Sequence, residues 1–131
     1  RSSANLLIKK ELTMLRTILI ALLLSTPAVA HEAGIGPNGG MRVDAGPYRV
    51  ELVPVGTKVD VYITLDDDSQ TDTTTMSATA ILLIDGKPVR ATLAPSLPGI
   101  LSGDAGVIVP DNVKGAVQLK GADGKTVQAK F

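Results

Sequence analysis

Val59-Asp60-Val61-Tyr62-Ile63-Thr64-Leu65 constrains this chain more than any other stretch. Val59, Val61, Ile63 and Leu65 alternate with Lys58, Asp60, Tyr62 and Thr64. A period of two sends every second side chain to one face of an extended backbone, so the stretch is predicted to be a half-buried strand. Tyr48, Val50 and Leu52 alternate in the same way, as do Met76, Ala78, Ala80, Leu82 and Ile84, and then Val89, Ala91 and Leu93. From His31 onward no segment of adequate length repeats apolar residues at helical spacing. Turn residues separate the runs. Asp85-Gly86 between two alternating runs predicts a hairpin, because a type I′ turn needs positive φ at both central residues. A second hairpin is expected from Ala116–Lys120 and Thr126–Phe131 around Gly121-Ala122-Asp123-Gly124, and short strands at Ile100-Leu101 and Val107-Ile108-Val109. Seven or eight short strands with regular turn signals imply an all-β fold. The expectation is an antiparallel immunoglobulin-like β-sandwich, with a small β-barrel as the alternative.

The first 30 residues are read separately. Met14 to Thr17 gives a start and a positive charge, Ile18 to Leu24 an apolar run, and Ala28-Val29-Ala30 the small-residue site of signal peptidase. The apolar run is far short of the roughly 20 residues a membrane span needs. Residues 14–30 are therefore expected to be a signal peptide that exports the chain to the periplasm, with cleavage after Ala30. Residues 1–13 are expected to be translated leader, since Lys10-Glu11 can be encoded as AAG-GAG, a ribosome-binding sequence suitably spaced before Met14. Residues 31–40, rich in Gly and Pro, read as an N-terminal arm ending in a turn, and 41–131 as the β domain.

From His31 to Phe131 there are nine Lys/Arg against twelve Asp/Glu, a net charge of −3. No basic cluster exists in the sequence of that segment, so composition gives no footprint for nucleic acid or anionic lipid. Cysteine is absent, which removes a disulfide framework and a thiol nucleophile.

His31 is the one histidine in the chain. With cleavage after Ala30, its free α-amine and imidazole Nδ1 chelate a metal ion together. Copper favours such nitrogen ligands. Glu32 and Asp44 are the candidate carboxylate helpers, so the expected cofactor is one copper ion. Enzymatic readings fail for want of histidines: serine-type catalysis needs a histidine base, and zinc hydrolysis about three protein ligands. Asp66-Asp67-Asp68-Ser69-Gln70-Thr71-Asp72 has the carboxylate density of a calcium loop. It lacks the sixth-position glycine and the flanking helices, so a solvated loop is expected. Gly34 to Gly40 is glycine-rich but opens no helix, which leaves a turn rather than a phosphate cradle.

"GPNGG" (Gly36–Gly40), "DAGPYRVELV" (Asp44–Val53), "ATAILLIDGKPVRATLAP" (Ala78–Pro95) and "GADGKTVQAKF" (Gly121–Phe131) resemble a group of small exported bacterial β-sandwich proteins. Similar His-then-GPNGG segments occur in periplasmic components linked to heavy-metal efflux. The resemblance implies periplasmic residence and a role in handling copper-like or zinc-like cations, with an efflux or envelope protein as partner. Proteins of this kind often carry one histidine where Arg49 stands and another near Asp66–Asp68; this chain has neither. The other reading is a metal-free interaction module that presents an edge strand or the 66–75 loop to an envelope protein.

Overall fold

A computed structural model describes residues 33–131. It forms nine strands: β1 (Gly34–Ile35), β2 (Met41–Ala45), β3 (Tyr48–Val55), β4 (Lys58–Leu65), β5 (Ser77–Ile84), β6 (Lys87–Pro95), β7 (Ile100–Asp104), β8 (Lys114–Lys120) and β9 (Thr126–Lys130). There is no helix among the described residues. The expected leader and signal peptide, and His31 and Glu32, lie outside them.

Every strand pair is antiparallel, and the strands follow the order β1-β2-β3-β4-β7-β6-β5-β8-β9. The all-β antiparallel class is as read from the alternation. The two layers of a sandwich are not separate sheets, however. Lys87 to Leu93 of β6 pair with β5, while Ala94 and Pro95 pair with Ser102 and Leu101 of β7. That corner makes one continuous sheet, curled like half a barrel. Its far flanks approach each other where Gly46, just past β2, lies against Val127 of β9.

Two local readings change. Met41–Ala45, not among the strands expected from sequence although Met41, Val43 and Ala45 alternate with Arg42 and Asp44, pairs along its whole length with β3. Val107-Ile108-Val109 is not a strand. Its Val109 N–H donates to Gly56 O at 2.9 Å, and Val107 and Ile108 are exposed. With no neighbouring strand in register, apolar β-formers alone do not make one. The Asp85-Gly86 turn is as expected, with φ of 51° and 73°.

The inward positions form one core. Val50 and Leu52, then Val59, Val61 and Ile63, then Ala80 and Leu82, and Leu93, Leu101, Val117 and Leu119 are each at most 3 % exposed. Burying each large aliphatic side chain contributes about 1.5–3 kcal/mol. The alanines at 78, 80, 91 and 129 let the curled halves approach closely, so the core closes almost without aromatic residues.

Candidate functional site

The outer face of β2, β3 and β4 gathers the ionisable groups. Arg42 and Asp44 alternate on β2, and Arg49 and Glu51 on β3, so all four leave the sheet on the side away from Val50 and Leu52. Arg42 is the cross-strand partner of Glu51, and Asp44 that of Arg49. Val50, Glu51 and Leu52 are nonetheless buried in succession, which plain alternation does not predict.

The cover over Glu51 is the Gly36–Gly40 turn. Glu51 Oε2 accepts hydrogen bonds from Asn38 N and Gly40 N, both at 2.9 Å, and Oε1 accepts from Asn38 Nδ2 at 3.1 Å. Glu51 is 1 % exposed. Two glycines make this packing possible. A Cβ on Gly36 would stand 2.3 Å from Glu51 Cδ, and one on Gly40 would stand 2.1 Å from Leu52 O. The turn closes on itself through Gly36 N to Gly40 O at 2.7 Å. The glycine motif is thus a lid built around one carboxylate.

Beside it, Asp68 bridges two arginines. Arg42 Nη1 and Arg49 Nη1 both stand 3.1 Å from Asp68 Oδ1. Asp68 has φ of 63°, a left-handed conformation that aspartate tolerates better than most residues. The Arg49 side chain is only 14 % exposed. Its Nε is 3.8 Å from Asp44 Oδ1, an ion pair too long for a hydrogen bond. These groups rim a recess of about 210 Å³, with Asn38, Tyr62 and Gln70 in its wall. A guanidinium pair sharing one carboxylate suits planar anion recognition; here the chain supplies the anion itself. A wider recess of about 490 Å³ lies between residues 70–74 and 95–98. Its one ionisable lining group, Asp72, is engaged by its own turn.

Of the sequence-derived metal ligands, Asp44 is exposed on β2 beside Arg49, while His31 and Glu32 lie outside the described residues. Among the described residues no group of three His, Asp or Glu side chains gathers as a metal cluster. Glu51 went unread as a site residue. Its period-two phase with Arg49 was the available signal, but a polar residue in that phase ordinarily faces water.

The 66–72 loop uses two of its acids, Asp67 and Asp72, for local turns. Asp67 Oδ1 accepts from Ser69 Oγ at 2.6 Å and Ser69 N at 3.0 Å. Asp72 Oδ1 accepts from Thr74 Oγ1 at 2.7 Å and Thr74 N at 3.0 Å. The hydroxyl bond first, and the amide bond second, hold both carboxyls below their ordinary 3.8. A depressed folded-state value means that these bonds are intact above 3.8 and are lost as pH falls through the lowered values. The Ser69 and Thr74 amide proton signals are therefore expected to hold until below pH 3.8 and then shift together with their aspartates. An NMR titration with midpoints at or above the ordinary value would contradict this account.

No family model matches the chain, and neither a curated protein nor a solved structure does.

Proposed function

We propose that this chain is a non-catalytic periplasmic binding protein, an accessory to the homeostasis or efflux of a copper-like cation. His31 anchors one ion through its α-amine and Nδ1, and Glu32 and Asp44 supply oxygen ligands. An efflux or envelope protein is its partner. The observation that carries this reading is the register of β1 on β2. Gly34 is opposite Arg42, and the exposed Asp44 lies two residues further along β2. His31 is three residues ahead of Gly34, and three residues span at most about 10 Å. One ion within reach of both groups needs only that tether. Two nitrogens with carboxylate oxygens suit copper(II).

The test is a copper(II) titration of the chain beginning at His31, followed by visible absorbance. His31→Ala is expected to abolish tight copper binding without lowering the melting temperature. Unchanged affinity removes the metal reading.

One feature favours the metal-free interaction module instead. Among the described residues β1 covers only Met41 and Arg42, so Val43 to Ala45 have a described ladder partner on the β3 side alone. Such an edge accepts an added strand. A partner that copurifies equally well with the His31→Ala protein supports this second reading.

A further inference from the structure

The outer face of β5, β6, β8 and β9 carries cations and no carboxylate. Its layout follows from the ladders. Ile81 stands between Arg90 of β6 and Ala116 of β8, and Ala116 stands opposite Lys130 of β9. Leu83 stands between Pro88 and Lys114, and Lys120 faces Ser77 at the other end. Neighbouring strands lie about 4.8 Å apart, so Arg90, Lys114 and Lys130 all lie within roughly 15 Å of Ile81 and Leu83. Leu83, 54 % exposed, stands directly beside Lys114.

Among the described residues these four cations make no ion pair or side-chain hydrogen bond. Asp85 and Asp123 lie in the hairpin turns at the ends of the strands, and Asp111 in the loop before β8. Asp44, Glu51, Asp60, Asp66–Asp68 and Asp72 all belong to β2, β3, β4 and the loop after β4. A chain of net negative charge from His31 onward is thereby divided into a cationic face and an acidic half. Positions 90, 114, 120 and 130 are too far apart in sequence to read as a cluster; the antiparallel ladders assemble them.

We propose that this face docks on a membrane surface rich in acidic phospholipids. The lysines and Arg90 take headgroup phosphates, and Leu83 enters the interface between them. The composition of the face selects this occupant over a protein. Protein interfaces are enriched in aromatic residues and depleted in lysine, whereas three of these four cations are lysines and the face has no aromatic side chain. Headgroups make no such demand, because each nearby cation attracts an anionic surface almost independently. The absence of aromatics on the face likewise leaves no stacking platform for single-stranded nucleic acid. The proposal does not depend on His31 or on a bound metal.

The test uses the unit His31–Phe131, which holds the whole core and is compact by itself. Its cosedimentation is compared on vesicles of phosphatidylcholine alone and of phosphatidylcholine mixed equally with phosphatidylglycerol. Binding is expected only to the acidic vesicles, and its loss is expected at about 0.5 M salt, where the screening length falls to a few ångströms. Each cation removed is expected to weaken partition about fivefold, so Lys114→Gln with Lys130→Gln gives roughly 25-fold. Both side chains are exposed, and an unchanged melting temperature confirms that the fold survives. Equal binding to both vesicle types overturns the proposal, as does acidic-vesicle binding that the double variant retains. Salt-sensitive self-association without vesicle binding overturns it too, and assigns the face to the acidic half of a second copy.

Discussion

Glu51→Ala is expected to lower stability by about 3 kcal/mol, on the order of 15 °C in melting temperature for a domain of this size. The reason is the set of donors it would strand. Asn38 N, Asn38 Nδ2 and Gly40 N all point at one buried carboxylate. Leaving a buried donor unpaired costs about 1–3 kcal/mol, and water entering the vacated space recovers part of the total. Glu51→Gln separates hydrogen bonding from charge. Its amide oxygen can accept from Asn38 N and Gly40 N, while its NH₂ donates to Asn38 Oδ1 once the Asn38 amide turns over. That variant is expected to lose only about 1 kcal/mol, the difference between a charged and a neutral acceptor. Gly36→Ala is expected to resemble Glu51→Ala, because its Cβ would stand 2.3 Å from the carboxylate carbon and push it out of the turn. Urea melts of the three variants check the ordering. If Glu51→Ala were as mild as Glu51→Gln, the carboxylate would not be what holds the lid.

What the sequence discloses here is mostly what is local. The Asp85-Gly86 hairpin is set by two residues that tolerate positive φ, and the alternation on either side fixes its register. The Asn38-Gly39-Gly40 turn is legible for the same reason. Its purpose is not, because Glu51 lies 11 residues beyond Gly40 and an alternating glutamate ordinarily faces water. Long-range pairing is equally hidden. Val107–Val109 has the apolar β-formers of a strand and fails to become one because no strand offers it a ladder. The Arg42–Asp68–Arg49 bridge spans 26 and 19 residues. The aspartate run reads from sequence as a solvated loop; what sequence does not show is that Asp67 and Asp72 close their own turns while Asp68 answers two arginines. Asp67, Asp68 and Asp72 are each engaged by a neighbour that composition alone does not identify.

Gly103→Ala is the other large effect expected, about 2–3 kcal/mol or more, because it acts where the curled sheet is thinnest. The two halves are joined by only two residue pairs between β6 and β7, Ala94 with Ser102 and Pro95 with Leu101. Gly103 stands just past that junction. A Cβ there would lie 2.2 Å from Thr92 O and 2.7 Å from Leu93 Cδ2. The first obstacle is backbone of β6, which is fixed on its other side by Thr79 of β5. It cannot yield by a rotamer change. Either β7 moves away from β6, breaking the corner, or β6 moves away from β5, breaking a central ladder. A second measurement identifies which occurs. Amide exchange is expected to rise at Ser102 and Leu101 while Ala80 and Val117 in the β5–β8 ladder stay protected, since β7 keeps its longer pairing with β4 and can hinge with it. Gly39→Ala serves as the control for glycine replacement as such: its φ of 82° imposes backbone strain, but no atom lies within 4 Å of the added carbon. If Gly103→Ala melted no lower than Gly39→Ala, the close approach at Gly103, which has no such backbone strain, would cost less than this geometry requires. The sheet would then be held at its corner by something other than the close approach of β6 and β7.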